Sequence, residues 1–338
     1  MKDGKFITLG IESSCDETAV SITADGRQVL SNIISSQIDV HKVFGGVVPE
    51  IAARHHLEQI NGVLDEAMRE ANITFAEVDL IGATEGPGLI GAVLVGLSTA
   101  KALALALGKP LTGVHHIKGH ISAAYLENAD LTPPFLALIL SGGHTDLIDV
   151  RSYQNLRVIG RTRDDAIGEA FDKVARVLGL GYPGGPKIDA LAPSGTSGKV
   201  SFKRVMLEKD SLDFSFSGIK TGVLNYVNTE KQAGRLFNTA DVAAEFEASV
   251  TDVIVAKTLS ALSLTGYDKL VVGGGVASNS LIRQQFAQEC ALRGIALYIP
   301  SPVFCTDNAA MIACAAYYDH LAGKTDSLDL DAKATLEL

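Results

Sequence analysis

The order of strands and helices that the hydrophobic pattern predicts occurs twice along the chain, and this repeat constrains the fold most strongly. Residues 6–11 form a short apolar strand that ends in a polar turn, and a second strand follows at residues 19–23. Asp25-Gly26 then marks a hairpin, because glycine accepts the positive φ that tight hairpin turns require. After a third strand near residues 29–35, helix and strand alternate up to residue 114.

The same order returns in the second half of the chain. An apolar strand at residues 135–140 is followed by a polar turn and two further strands, and then by alternating helices and strands. A long stretch, roughly residues 179–238, interrupts this second copy. Three successive strands followed by such alternation are typical of a ribonuclease H-like lobe, and two such lobes around a ligand cleft form the α/β architecture of the actin-like ATPases.

We therefore predict that fold, with one lobe at residues 1–118 plus about 308–338. The second lobe covers residues 119–307 and carries the interrupting stretch as an insertion. The alternative is a single large α/β domain. The length of 338 residues is sufficient for two domains, and 47% hydrophobic and 20% charged residues are ordinary for a globular protein.

The composition also restricts the environment and the partners. The four cysteines show no paired spacing, which indicates free thiols in a reducing cytoplasm, and no signal peptide precedes the first strand. The apolar run at residues 89–107 contains Lys101 and lies in a strand–helix–strand pattern, so we predict a buried helix rather than a membrane span. The formal net charge of −10 argues against broad nucleic-acid binding but permits a local basic patch.

His116 and His120 stand four positions apart, so on a helix both imidazoles would lie on one face and reach a single ion. His115 adds a third imidazole, and the segment follows a strand, where α/β proteins often place ligands. The residue after His116 is Ile117 rather than the glutamate that a zinc protease of the HExxH type needs. The pattern favours a metal site without that base; the alternative is an ordinary polar or buried helix face.

Carboxylates in other segments offer related chemistry. Asp307 opens the last helix, where it either caps the helix or completes the histidine site with open positions for a substrate. Asp16 and Glu17 in the first polar turn could serve an ion or act as a base. Asp172 and Asp189 lie near glycine-rich segments and suit a ribose or a small polar group, unless they are merely solvated helix acids.

Two glycine-rich turns in the second half favour a nucleotide. Residues 141–145 offer backbone N–H donors and close approach to a phosphate. Residues 273–279 lie between a strand and a helix, and their three glycines let the backbone pass beneath a base or a ribose. Asn279 can both donate and accept hydrogen bonds there. The alternative is a tight turn that Ser278 caps.

Together these segments resemble one family, the universal tRNA N6-adenosine threonylcarbamoyltransferases, whose older name is O-sialoglycoprotein endopeptidase. The resemblance follows the family's order along nearly the whole chain. The matching segments are residues 10–18, 45–50 with Arg54 and His56, 86–89, 116–120, 141–145, 169–173, 181–186, 214–221, 273–279 and 305–308. Ile139 stands where archaeal and eukaryotic members carry a tyrosine, which indicates a bacterial-type member.

The resemblance implies one divalent metal, zinc or iron, held by His116, His120 and Asp307. It implies that threonylcarbamoyl-AMP is the donor and that the site also accepts ATP, ADP or AMP, with Mg²⁺ accompanying the nucleotide. The residues it assigns to substrate binding are Ile139, Leu140, Ser141, Gly142, Gly143, Asp172, Gly185, Asp189 and Asn279. The acceptor is N6 of the adenosine beside the anticodon in tRNAs that read codons beginning with A, with Asp16 or Glu17 as the base.

The resemblance also implies partners and a cytoplasmic enzyme without a membrane anchor. The partners are tRNA, an actin-fold paralogue of the TsaB type and a P-loop ATPase of the TsaE type, and a homodimer is left open. Candidate contacts to tRNA are Lys42, Arg54, Arg161, Arg163, Lys173, Arg176, Lys203, Arg204 and Lys220.

Three rival functions are a metal-dependent protease, a small-molecule kinase of the same architecture and a non-catalytic nucleotide-binding partner. The missing HExxH glutamate argues against the protease, and the histidine pair argues against the kinase. The retained His-His-Asp set argues against the non-catalytic partner.

Overall fold

The computed structural model describes residues 4–208 and 210–338, which divide into two compact units. Unit 1 runs up to Pro133 and also includes Arg151–Leu156 and Val303–Leu338. Unit 2 comprises Pro134–Val150 and Arg157–Pro302.

Each unit is built on its own sheet, with helices packed on it. In chain order the strands are β1 (Ile7–Glu12), β2 (Glu17–Ala24), β3 (Gln28–Ser36), β4 (Leu80–Gly86), β5 (Leu111–His115), β6 (Phe135–Leu140), β7 (Thr145–Val150), β8 (Leu156–Arg161), β9 (Lys269–Gly273) and β10 (Ala296–Tyr298). The helices are α1 (Ile38–Lys42), α2 (Pro49–Ala71), α3 (Ile90–Leu107), α4 (His116–Glu127), α5 (Ile167–Val177), α6 (Gly184–Leu191), α7 (Ser217–Gln232), α8 (Thr239–Thr265), α9 (Ser280–Arg293), α10 (Pro302–Cys305) and α11 (Ala309–Leu321). Short 3-10 turns lie at Phe75–Glu77, Ala192–Ser194 and Gly275–Ser278.

The two sheets share one topology. The order is β3-β2-β1-β4-β5 in unit 1 and β8-β7-β6-β9-β10 in unit 2. In both sheets the first strand pairs antiparallel with the second and parallel with the fourth. The repeat predicted from the sequence is therefore confirmed as two ribonuclease H-like sheets.

The units differ in extent from the predicted lobes. Unit 1 continues beyond residue 118 because α4 packs against α11 and β5 of the same unit. The chain returns to unit 1 at Val303, before the position near residue 308 that the sequence suggested. The stretch of residues 179–238 belongs to unit 2, where α6 and α7 pack against α5 and α8.

Small residues allow α11 to lie very close to the sheet of unit 1. A Cβ added at Gly10 of β1 would come within 2.4 Å of the Ala309 carbonyl oxygen, and one at Gly82 of β4 within 2.4 Å of the Ala316 Cβ. On α4, a Cβ at Gly119 would lie 2.7 Å from Cδ1 of Ile312. Gly10 and Gly82 thus let α11 lie close to the sheet, and Gly119 lets α4 lie close to α11, near the functional residues.

Two helices, α3 and α8, are long and apolar enough by length and composition to span a membrane, a test that buried core helices also pass. One face of α3, which includes Val93, Leu97 and Ala100, is buried against α2 and β4. Leu105 on the other face is 70% exposed. The helix predicted at residues 89–107 is present, but only one of its faces is buried.

A buried ion pair between Lys118 of α4 and Asp319 of α11 also ties these helices together. Lys118 is 9% and Asp319 4% exposed. Removing one partner of such a pair leaves the other charge buried and uncompensated, so Asp319→Asn should lower the free energy of unfolding by roughly 3–5 kcal/mol. Urea denaturation of the variant would measure this loss.

The double variant Lys118→Met/Asp319→Leu should recover most of that stability, because it removes both charges together. Glu66→Gln is the matched control, since it breaks the exposed pair between Arg69 and Glu66 and should change stability by less than about 1 kcal/mol. An Asp319→Asn variant as stable as the control would contradict the prediction.

Candidate functional site

His116, His120 and Asp307, predicted as metal ligands, come together within unit 1. Helix α4 places the two imidazoles one turn apart, with ring centroids separated by 4.6 Å. Their Nε2 atoms lie 3.5 Å and 3.2 Å, respectively, from Oδ1 of Asp307. One ligand atom from each residue falls within 4.8 Å of the others, so the group could hold a single ion.

The side chain of Asp307 is not needed as the helix cap. Asn308 performs that function, because its Oδ1 accepts a hydrogen bond from the Met311 N–H at 3.0 Å at the start of α11. The carboxylate of Asp307 is therefore directed at the two histidines. Of the two roles that the sequence left open for Asp307, the capping role is thus taken by Asn308.

The chemistry of these three residues fits a divalent metal. His120 is fully buried; its Nδ1 has no hydrogen-bond partner among the described residues, and its Nε2 has only the 3.2 Å contact with Asp307, which lacks hydrogen-bond geometry. A buried polar atom without a partner is destabilising, and a bound ion would satisfy it. Two imidazoles and one carboxylate with open positions are typical of catalytic zinc and of non-haem iron.

Glu12, which the sequence analysis did not select, supports His116 from behind. Its Oε2 lies 3.0 Å from Nδ1 of His116 and accepts a hydrogen bond from Oγ1 of Thr84 at 2.7 Å. Its Oε1 accepts from the Ser14 N–H at 2.5 Å. Because an ionised carboxylate only accepts hydrogen bonds, it keeps the proton of His116 on Nδ1 and leaves Nε2 to face Asp307.

The charges around His116 are strongly coupled. Burial alone would lower the pKa of His116, but the carboxylates of Asp307 and Glu12 raise it to about 9. Burial alone would raise the pKa of Glu12, and His116 lowers it below its usual value. Two carboxylates thus attract positive charge to one buried position, which either a proton or a metal ion can supply.

The neighbouring His115, which the sequence analysis counted as a third imidazole, has a structural role. Its Nδ1 accepts a hydrogen bond from the Ile117 N–H at 3.2 Å and so caps α4. Its Nε2 lies 3.1 Å from the carbonyl oxygen of Leu336. Burial lowers the pKa of His115 to about 4, so this side chain stays neutral.

Asp16, in the turn between β1 and β2, and Glu17, the first residue of β2, lie side by side in unit 1. Their carboxyl groups share a hydrogen bond, and Oε1 of Glu17 accepts another from Oγ of Ser36 at 3.2 Å. Burial, with the charges of Asp16 and Asp307, raises the pKa of Glu17 well above its usual value. The pair therefore retains a proton more readily than an isolated carboxyl group does, an arrangement suited to proton transfer.

A buried histidine of α2 holds this turn in place. Nδ1 of His56 lies 2.7 Å from Oγ1 of Thr18, and its Nε2 lies 3.1 Å from the carbonyl oxygen of Cys15. Cys15 and the other three cysteines are free thiols, as predicted.

In unit 2, the predicted phosphate-binding turn follows β6. Ile139 and Leu140 are the last residues of β6 and are fully buried. Ser141 closes the turn, because its N–H donates to the His144 carbonyl at 2.9 Å and its Oγ accepts from the His144 N–H at 3.0 Å. The space above Gly142 and Gly143 is open, so a ligand could approach their backbone closely.

Asp172 lies beside the glycine-proline segment. Its Oδ1 accepts a hydrogen bond from the Gly184 N–H at 2.6 Å, at the start of α6. A Cβ at Gly184 would lie 2.6 Å from the Cα of Asp172, whereas the space around Gly185 is open. The structure thus places Asp172 against Gly184, the residue that precedes Gly185.

Asp189 and Asn279 meet at the start of α9. Asp189 accepts hydrogen bonds from the N–H and the Oγ of Ser280, both at 3.0 Å. Oδ1 of Asn279 caps α9 through the Ile282 N–H at 3.0 Å, so Asn279 rather than Ser278 is the cap. A further residue, Glu247 of α8, accepts from Nδ2 of Asn279 at 2.6 Å.

Several of the candidate tRNA-binding residues are already paired with carboxylates of unit 2. Arg163 contacts Glu208 and Asp213, and Lys173 contacts Asp165 and Glu169. Lys220 contacts Asp165, and Arg204 contacts Glu245 and Asp252. Their charges are largely neutralised locally, which argues against these four as a strongly basic surface.

Comparisons with known proteins identify the family. A sequence profile described as "TsaD: tRNA N6-adenosine threonylcarbamoyltransferase" matches residues 28–314. A protein of that name from Clostridium botulinum (strain Kyoto / Type A2) is 54% identical over 330 residues, which cover 98% of this chain and 97% of the relative. A Clostridium perfringens (strain 13 / Type A) protein of the same name is 53% identical over 334 residues, which cover 99% and 98%.

Solved structures show the fold. Full-length HypF in its phosphate- and nucleotide-bound form matches with a TM-score of 0.62 at 14% identity, over 95% of this chain and 47% of that chain. Component A of the (R)-2-hydroxyglutaryl-CoA dehydratase of Acidaminococcus fermentans matches with a TM-score of 0.55 at 16% identity, over 94% of this chain and 100% of that chain. The fold is thus that of the actin-like ATPases, as predicted. Since the sequence profile and the clostridial relatives agree, the chain belongs to the tRNA N6-adenosine threonylcarbamoyltransferase family.

Proposed function

We propose that the chain transfers the threonylcarbamoyl group from threonylcarbamoyl-AMP to N6 of the adenosine beside the anticodon in tRNAs that read codons beginning with A. Family membership makes it a transferase with a tRNA substrate. The observation that carries the residue-level proposal is the convergence of His116, His120 and Asp307. The protease and kinase alternatives are not favoured, because the relatives carry the transferase name.

We assign one iron or zinc ion to His116, His120 and Asp307. When bound, the ion supplies a Lewis-acidic charge that polarises carbonyl or phosphate oxygens of the donor. Glu12 orients His116 for that purpose through its hydrogen bond to Nδ1. Among the protein's own groups, we assign the role of base to Asp16, because the raised pKa of Glu17 favours the neutral form of that neighbour.

We assign the donor to unit 2. The backbone N–H groups of Ser141, Gly142 and Gly143 would bind phosphate oxygens, and their open surroundings support this role for the two glycines. Since the side chains of Ile139 and Leu140 are fully buried, these residues would contribute backbone atoms only. The carboxylates of Asp172 and Asp189, with Gly185 and Asn279, would bind the nucleoside. ATP, ADP or AMP, with Mg²⁺ where required, would occupy the same place.

We propose that partner proteins complete the tRNA-binding surface. The net charge of −10 and the local pairing of Arg163, Lys173, Arg204 and Lys220 reduce the positive charge available to a polyanion, which supports a contribution from partners. A TsaB-type paralogue and a TsaE-type ATPase would act in this way in the cytoplasm, where tRNA is modified. A homodimer would be the alternative assembly.

Reconstitution tests the proposal. Purified protein, its partners, threonylcarbamoyl-AMP and unmodified tRNA are incubated together, and the digested tRNA is searched for N6-threonylcarbamoyladenosine by mass spectrometry. The modified nucleoside should form only when this chain and the donor are both present. A complete mixture that yields no modified nucleoside would overturn the proposed reaction.

Replacing Glu12 by glutamine tests the support of the metal site. The variant keeps the size of the side chain but loses the charge that orients His116, so metal affinity should fall by roughly 10–100-fold. Competition with a chelating dye would measure the affinity. Glu85→Gln is the matched control, because Glu85 is a buried acid on the neighbouring β4 that pairs with Lys333 instead. Equal metal affinities in both variants would contradict the role of Glu12.

A further inference from the structure

Glu247 is a buried acid that sequence reasoning missed and that the mechanism above does not use. It lies on α8 and is only 4% exposed. Its Oε1 accepts a hydrogen bond from Nδ2 of Asn279 on α9 at 2.6 Å, and its carboxyl group shares another with Asp189 on α6. One side chain thus connects three helices where two residues assigned to the nucleoside meet.

The other hydrogen bonds of Asn279 and Asp189 determine which of their donors and acceptors remain available to a ligand. Oδ1 of Asn279 is occupied by the Ile282 N–H, and one amide hydrogen is directed at Glu247, so one amide hydrogen remains. Asp189 already accepts from the N–H and Oγ of Ser280 but retains acceptor capacity. The two side chains can therefore offer a nucleoside one donor and one acceptor, in an orientation that depends on Glu247.

We infer that Glu247 is a positioning residue of the nucleoside subsite, holding Asp189 and Asn279 in one hydrogen-bonded arrangement that receives the ribose or the base. This role rests on the proposed donor site in unit 2. Glu247 acts through its two neighbours, because its own carboxyl group is engaged by them.

The protonation of Glu247 controls this arrangement. Burial raises the pKa of Glu247 to about 7; the hydrogen bond from Asn279 opposes this rise, and the charge of Asp189 adds to it. Asp189 faces Glu247 from α6 and the neutral amide of Asn279 faces it from α9. Below pH 7 the protonated Glu247 donates to Asp189, whereas above it two ionised carboxylates repel each other and the subsite loosens.

Glutamine reproduces the protonated state of Glu247. Its amide oxygen can accept from Asn279, its amide N–H can donate to Asp189, and it does not titrate. The experiment measures adenosine binding by calorimetry at pH 6 and pH 8.5, since adenosine carries no group that titrates in this range. The wild-type affinity should fall by about five- to thirtyfold between these pH values, whereas that of Glu247→Gln should change by less than about twofold.

Two further variants separate positioning from stability. Glu247→Ala should bind adenosine about tenfold or more weakly than wild type at pH 6, because both hydrogen bonds are lost. Glu245→Gln is the matched control: Glu245 lies on the same helix, is 2% exposed and pairs with Arg204. It should reduce thermal stability and keep the wild-type pH profile of binding.

The outcomes are distinguishable. A wild-type affinity that does not change with pH, or a Glu247→Gln profile equal to that of wild type, would overturn the role of Glu247 alone. Wild-type protein that binds no adenosine at either pH would overturn the proposed donor site, and the positioning role with it. If Glu247→Ala fails to fold, the comparison between wild type and Glu247→Gln still decides.

Discussion

Replacing His120 with alanine should remove the metal from the protein and slow threonylcarbamoyl transfer by at least about a hundredfold, since a Lewis acid contributes several kcal/mol of transition-state stabilisation. His120 is fully buried, and apart from the Asp307 carboxylate its ring nitrogens have no partner in the described part of the chain. The loss of one of the three proposed ligands leaves His116 and Asp307, which would hold an ion only weakly. Elemental analysis after reconstitution with iron or zinc, followed by single-turnover transfer, measures both effects.

His320→Ala is the matched control for that experiment. His320 also lies in unit 1, but its ring stacks on Phe6 with the centroids 5.4 Å apart. This variant should keep one metal ion per chain and a normal transfer rate. His120→Ala protein that retains the metal content of the control would show that the three residues do not form the metal site.

Most of the fold could be predicted because its signals are local. Apolar strands such as residues 135–140 and periodic helices such as α2 are recognisable within short windows of sequence. The ends of the units could not be predicted in this way. They depend on the packing of α4 against α11, which Gly119 permits and which joins segments far apart in the chain.

In the candidate site, too, the sequence indicated contacts between residues close in the chain better than contacts between remote ones. His116 and His120 are close in sequence, so helical geometry alone indicated a shared ion. Asp307 is remote, and its place beside them follows from the close approach of α11 to β1. Glu12 and Glu247 were missed because burial is a tertiary property: a glutamate at the end of a strand or within a helix is usually solvated.

Asp16→Asn should lower the rate of transfer from preformed threonylcarbamoyl-AMP by about 10²–10⁴-fold, the usual contribution of a general base. Burial and the charges of Asp16 and Asp307 raise the pKa of Glu17 well above its usual value, which favours the neutral form of Glu17. We therefore assign the role of base to Asp16. Asparagine keeps its shape but cannot accept that proton. Single-turnover assays at saturating donor isolate the chemical step.

Glu17→Gln tests which carboxylate of the pair is the base. If Glu17 is protonated during the reaction, glutamine replaces it with a neutral group that can still donate a hydrogen bond to Asp16, and transfer should stay within about tenfold of the wild-type rate. If Glu17 is instead the base, its loss should be as damaging as that of Asp16, and Asp16→Asn should be the milder change. Metal content, measured in parallel, should be unchanged in both variants, because neither residue belongs to the group formed by His116, His120 and Asp307. The relative rates of the two variants therefore assign the base within the pair.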